Sequence, residues 1–209
     1  CLMSVIHESG HAIYEQNFAP EMYRTILVLD ASMSIHESQS RFYENILGRS
    51  LPFSRWMLPR LQAAQPQYAD LDAEALYRAL NKSQPSLIRT EADEVTYGLH
   101  IMLRFELEDD LLHGRVRVAD LPQVWNERME AYLGLVPPTD SDGVLQDIHW
   151  SQGYIGYFPD YLLGSIFAVQ LWEALKRDIP DAEKQVEAGQ FESIGSWMRE
   201  KVHRHGVKF

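Results

Sequence analysis

Near the start of the chain, Val5-Ile6-His7-Glu8-Ser9-Gly10-His11 contains the pattern H-E-x-x-H. On a helix, residues four apart lie one above the other on the same face, so the imidazoles of His7 and His11 can grip a single metal ion. Glu8, next to the first ligand, is then placed to act as general base on a water held by that metal. A catalytic zinc takes three protein ligands and leaves one position open. Glu37, in the next predicted helix, is the choice for the third, because a zinc site with two His and one Glu draws the Glu from a following helix. Its neighbour His36 competes for that place and would point about 100° away around the helix.

These residues need helices to position them. Leu2, Ile6 and Ile13 mark an apolar stripe that predicts a first helix over Leu2 to Asn17, ended by Pro20. Gly10 inside it costs about 1 kcal/mol of helix propensity, which fits close packing against a metal or another backbone. A second helix, capped by Ser32 or Ser34, carries Ile35, Phe42 and Ile46 on one face and ends at Gly48. Short helices are expected over Trp56 to Ala64 and Leu71 to Asn81. A long helix runs from Thr90 to Leu112, and another from Asp120-Leu121-Pro122 to Gly134. Pro159 opens a helix to Arg177, and Asp181 and Phe191 begin the last two. Only Arg115 to Val118 alternates like a short strand. The fold class expected is therefore all-α, as a single unit over residues 1–209. Between Leu135 and Phe158 lies an irregular stretch rich in Gln, His, Trp and Tyr, a place where function tends to sit.

Composition limits the partners. A formal charge of −11 argues against nucleic acid or an anionic membrane surface, both of which need a basic footprint. No apolar run approaches the roughly 18 residues of a membrane span. Cys1 is the only cysteine, so no intrachain disulfide forms and nothing indicates an oxidising compartment. The chain opens inside the first helix with no cap before it, and residues preceding Cys1 in a longer protein are expected.

Further motifs make the reading specific. His36-Glu37-Ser38-Gln39 resembles the H-E-S-x-Q motif of the carboxypeptidase Taq family of zinc metallopeptidases once the variable position is dropped. Ile88-Arg89-Thr90-Glu91-Ala92-Asp93 matches that family's I-R-x-x-A-D in full. Gly143-Val144-Leu145-Gln146-Asp147-Ile148-His149-Trp150 matches its G-x-x-Q-D-x-H-W, and G-Y-F-P occurs at Gly156 to Pro159. Two motifs that precede H-E-x-x-H in the family, H-P-F and D-x-R-x-T, have no counterpart here, so the resemblance implies a catalytic-lobe fragment of a helical zincin-type peptidase, without the family's N-terminal lobe.

The resemblance implies a zinc-dependent carboxypeptidase (cobalt being another possible cation) that releases single residues from peptides with a free C-terminal carboxylate. It also implies a homodimer and a cytoplasmic location. Arg89 is then the candidate for holding the carboxylate through paired hydrogen bonds. Asp93 either orients Arg89 or caps a helix. His149 and Tyr157 are candidates for oxyanion and substrate contacts, with Tyr154 forming a tyrosine pair like that in the wider group of helical zinc peptidases, or packing in the core. Gln146 is placed with the substrate contacts, and with Asp147 among groups that could orient a ligand imidazole. Trp150 is read as a wall, and His100, His113, His203 and His205 as surface or packing residues. Two alternatives stay open: a metal-binding or oligomerising module without turnover, and a helical zinc oligopeptidase or dipeptidase.

Overall fold

The computed structural model describes residues 2–29 and 31–208, so Cys1 lies outside the described residues. Among these there are nine α-helices and no strand: α1 (Leu2–Glu15), α2 (Met33–Arg41), α3 (Leu51–Ala64), α4 (Ala73–Leu80), α5 (Glu94–Leu112), α6 (Leu121–Leu133), α7 (Phe158–Asp178), α8 (Ala182–Ala188) and α9 (Glu192–Lys201). The all-α expectation holds. The alternation at Arg115 to Val118 does not become a strand: there is no partner strand among the described residues to pair with, and Val118 instead opens a short 3-10 turn, Val118–Asp120.

The helix ends follow local chemistry. Ser32 caps α2 by accepting from the backbone N–H of Ile35, and Ser50 caps α3 by accepting from Phe53. The latter starts at Leu51, earlier than predicted, because Pro52 fits a first turn that needs no N–H donor. The long helix starts later than predicted. Arg89–Glu91 forms a separate 3-10 turn, and Asp93 accepts from the N–H groups of Val95 and Thr96 to begin α5 at Glu94. Of its two candidate roles, Asp93 therefore performs the cap. Gly134 ends α6 in the left-handed conformation, at φ 69°.

The chain forms two compact units, one of residues up to Leu80 together with those from Leu163 onward, the other of Asn81–Leu162. In the first, Phe42, Leu47, Leu175, Ala182, Val186, Ile194 and Met198 are buried together. Here α1 lies directly on α2: a Cβ at Gly10 would stand 2.7 Å from Gln39 O and Ser40 Cα. That is the close backbone approach the glycine predicts. On the other side of α2, a Cβ at Gly164 of α7 would meet the Glu37 side chain at 2.7 Å. Gln39 is fully buried, donates to Ser38 Oγ and pairs with His203 across 3.0 Å, which ties α2 to the C-terminal segment.

The second unit has a core of Leu103, Leu107, Trp125, Met129 and Leu133, joined by a smaller cluster of Tyr97, Ile101 and Phe158. Charged residues share the buried face of α5: Arg104 is fully buried and Glu108 nearly so. Among the described residues, no helix is long and apolar enough to cross a membrane.

Candidate metal centre

In the first unit, ligand atoms of His7, His11 and Glu37 all lie within 4.8 Å of one another. The i, i+4 spacing on α1 brings the two rings together, with centroids 4.9 Å apart. Glu37 enters from α2 and is buried, with its Oε2 3.8 Å from His7 Nε2 and 3.5 Å from His11 Nε2. Both imidazoles thus turn Nε2 toward the same carboxylate oxygen. Their other nitrogens are occupied, His7 Nδ1 by Glu44 Oε2 at 2.9 Å and His11 Nδ1 by His36 Nδ1 at 2.5 Å. Arg41, one turn after Glu37, donates from Nε to Glu37 Oε1 at 2.7 Å.

This donor set fits a divalent cation. Two imidazole nitrogens and one carboxylate oxygen converge, each imidazole has a hydrogen-bonding partner on its far nitrogen, and the carboxylate's second oxygen is held by a guanidinium. Burial lowers the pKa of His11 from its ordinary value against the opposing pull of Glu37, and so favours the neutral form that a cation needs. Glu8 lies outside the donor cluster, with its carboxylate exposed on α1.

His36, considered as a rival ligand, lies behind His11 and reaches Glu15 Oε1 with its Nε2 at 3.0 Å. Glu44 and Arg41 were missed by sequence reasoning. Glu44 lies seven residues from Glu37, a full two helical turns, so a helical projection carried past Glu37 puts it on the same face.

The second unit gathers the other motif residues. Arg89 is buried and spends Nε and Nη2 on Asp147 Oδ1, at 2.9 and 2.7 Å, while Nη1 donates to the Tyr97 hydroxyl at 3.1 Å. Its guanidinium also stacks 4.7 Å from the Tyr161 ring centre. Asp147 Oδ2 accepts from Arg104 Nε at 2.6 Å, so one carboxylate serves two guanidiniums. Asp147 is largely screened from solvent, which disfavours its charge, but the two guanidiniums outweigh that and hold its pKa below the usual range. Gln146 is engaged with main-chain groups: it accepts from the N–H of Arg89 and donates to the carbonyls of Leu87 and Asp142. The amide thus fixes the backbone at Arg89.

His149 is buried, and its Nε2 lies 2.9 Å from the Tyr161 hydroxyl. Burial and the charge of Arg89 lower its pKa. Tyr157 stacks near it, with ring centres 5.4 Å apart, and the half-exposed Tyr154 packs 5.9 Å from Tyr157. Trp150 donates from Nε1 to Glu108 Oε2 at 2.9 Å and packs edge-on against Trp125. Tyr161 and Arg104 were missed. Tyr161, on α7, packs against Tyr157 with ring centres 5.3 Å apart, although Tyr157 precedes the helix and no helical spacing links them. Arg104 lies on a buried face of α5 that also carries His100 and Glu108, so no break in an apolar stripe marks it. Of the four unassigned histidines, His100 and His203 are fully buried and His113 is exposed.

Comparison with known proteins shows the family. The chain is 47% identical over 208 residues to carboxypeptidase 1 of Bacillus subtilis (strain 168), a match covering 99% of the chain and 42% of that protein. It is 45% identical over 205 residues to thermostable carboxypeptidase 1 of Pyrococcus furiosus, covering 98% of the chain and 41% of the relative. Among solved structures, an M32 carboxypeptidase from Deinococcus radiodurans R1 superimposes with a TM-score of 0.96 at 41% identity, over the whole of this chain and 42% of that one. The chain thus spans about two fifths of the length of the relatives it matches. The family model described as carboxypeptidase Taq (M32) metallopeptidase matches residues 1–208, and with the donor set of His7, His11 and Glu37 in place the chain belongs to that family.

Proposed function

We propose that this chain carries the zinc centre of a metallocarboxypeptidase that releases single amino acids from the C-termini of peptides. The observation that carries the reading is the convergence of His7, His11 and Glu37, with Glu8 on the helix that presents both imidazoles. Two imidazole nitrogens and one carboxylate oxygen are a donor set that suits zinc, with cobalt as the substitute. The cation, when bound, supplies Lewis acidity toward water and the scissile carbonyl.

The remaining roles belong to the chain. Glu8 takes the proton of the attacking water and delivers it to the leaving amine. His149 and Tyr157 are assigned donor roles toward the developing oxyanion, and Tyr161 orients the His149 ring through its hydroxyl. Arg89 is assigned the free carboxylate of the peptide. Its Nε and Nη2 already donate to Asp147 and its Nη1 to Tyr97, so the assignment rests on the surplus positive charge that Arg89 and Arg104 hold over the single carboxylate of Asp147 and not on a free guanidinium fork. Tyr154, half-exposed beside Tyr157, is assigned a substrate contact. A homodimer and a cytoplasmic location belong to the same reading, checked by sedimentation and by cell fractionation.

The test compares peptides that differ only at the C-terminus, incubated with the zinc-loaded protein. A free carboxylate should give sequential release of amino acids, and a C-terminal amide should abolish most of it. Glu8→Gln should keep the metal and lose hydrolysis. Equal cleavage of the amidated peptide would exclude carboxypeptidase action, and a bound metal without turnover would favour the metal-binding module.

A further inference from the structure

The two ligand imidazoles are backed by chemically different partners, and one of those partners sits in an unusual segment. At Phe42 the α2 helix passes into a π-helical turn, Phe42–Gly48. Such segments are infrequent and concentrate at functional sites. This one carries Glu44, a buried carboxylate with three partners: Oε2 faces His7 Nδ1 at 2.9 Å and Arg41 Nη1 at 3.8 Å, and Oε1 accepts from Arg49 Nη2 at 3.0 Å, while Arg49 Nη1 in turn anchors to the carbonyl of Leu80 at 2.8 Å. Arg41 also holds Glu37, so one guanidinium lies between the ligand carboxylate and Glu44. The π turn and α1 touch directly, since a Cβ at Gly48 would lie 3.5 Å from Met3 Sδ and 3.6 Å from Ile6 Cδ1, and Ile6 precedes His7.

We propose that Glu44 is the positioning residue for His7: its carboxylate keeps the proton of the neutral ring on Nδ1 and leaves the Nε2 lone pair aimed at the cation site. This rests on the reading of His7, His11 and Glu37 as a metal centre. The imidazole is a donor only through an unprotonated nitrogen, and the hydrogen bond made by the other nitrogen decides which one that is. An anionic acceptor also increases the electron density of the ring and therefore its strength as a ligand. The two arginines have a second consequence. With both of its oxygens engaged, Glu44 is held as a support and does not compete with Glu37 as a ligand. His11, by contrast, leans on His36, whose other nitrogen reaches a largely exposed Glu15. The strong backing is thus on His7 alone, and removing it should weaken metal binding more than removing His36.

The experiment measures zinc dissociation constants by competition with a chromogenic chelator, for the parent chain and for Glu44→Gln, Glu44→Ala and His36→Ala. Melting of each metal-free variant is measured alongside. Glu44→Ala should bind zinc about 10- to 100-fold more weakly. Glu44→Gln, which keeps an acceptor oxygen without the charge, should fall between Ala and parent with metal-free melting close to the parent's. Long-range proton–nitrogen correlations of the His7 ring in the metal-free protein above pH 8 supply a readout that packing alone would not move. They should show the Nδ1–H tautomer in the parent and the Nε2–H tautomer in Glu44→Ala. Unchanged zinc affinity in both Glu44 variants, or an unchanged His7 tautomer, overturns the proposal while leaving the metal centre standing. A parent chain that binds no zinc overturns the metal centre itself, and this proposal with it.

Discussion

Replacing Gly10 by alanine sets two effects against each other. Removing a glycine from a helix interior gains about 1 kcal/mol of propensity. The added methyl, however, would stand 2.7 Å from Gln39 O and Ser40 Cα, which are backbone atoms that cannot rotate away. Ordinary contact begins near 3.4 Å, so α1 must retreat from α2 by about 0.7 Å. Overpacking of this kind costs about 1–3 kcal/mol, leaving a net loss of about 0–2 kcal/mol and a fall in Tm of up to about 8 °C. The larger effect falls on the metal. His7 and His11 ride on α1 and Glu37 on α2, so the retreat separates ligands whose bond lengths tolerate only about 0.2 Å. Zinc affinity should therefore drop at least tenfold, about 1.4 kcal/mol. Gly195 in α9 is the control: a Cβ there meets nothing within 4 Å, so Gly195→Ala should gain about 1 kcal/mol and leave zinc binding alone. Melts in chelator and zinc competition titrations measure both quantities. A Gly10→Ala protein that melts as high as Gly195→Ala and binds zinc like the parent would refute the steric argument.

Other outcomes follow from the same geometry. Asp93→Ala should cost about 0.5–2 kcal/mol by uncapping α5, measured by urea unfolding. Burial opposes the charge of Asp93, but hydrogen bonds from Thr96, Gln84 and Ser83 bring its pKa from 3.8 down to about 2. The cap is thus fully present above pH 4 and lost as pH falls toward 2, and the gap between parent and Asp93→Ala should close over that window. Burial holds His100 and His203 near pKa 4 against 6.5 when unfolded, so their contribution is complete above pH 6.5 and declines as pH falls toward 4, by up to about 1.4 kcal/mol per pH unit for each. Melting followed from pH 8 to 5 should show the decline, and replacing both histidines by glutamine should flatten it. Asp147→Asn leaves Arg89 and Arg104 without their shared carboxylate and should destabilise the second unit by about 3–5 kcal/mol, seen as loss of hydrogen-exchange protection along α5.

Much of this protein is written locally. The spacing of His7 and His11, the cap at Ser32, the stop at Gly134 and the all-α character depend on neighbours within a few residues, and for that reason they are legible in the chain. The choice of Glu37 over His36 lay at the edge of what is local. Both sit on one helix, and the packing of α1 across Gly10 places the carboxylate beside both Nε2 atoms and His36 behind His11. What the tertiary structure alone decided is the support of each site residue. Glu44 meets His7 from 37 residues away, and Asp147 meets Arg89 from 58, because burying a charge or fixing a tautomer requires a partner wherever the fold can supply one. Spacing along the chain does not name such pairs: it can place Glu44 on the face of Glu37 but not against His7. The grouping of His7, His11 and Glu37 could be anticipated from the chain, whereas the contacts that back those side chains are set by the packed structure.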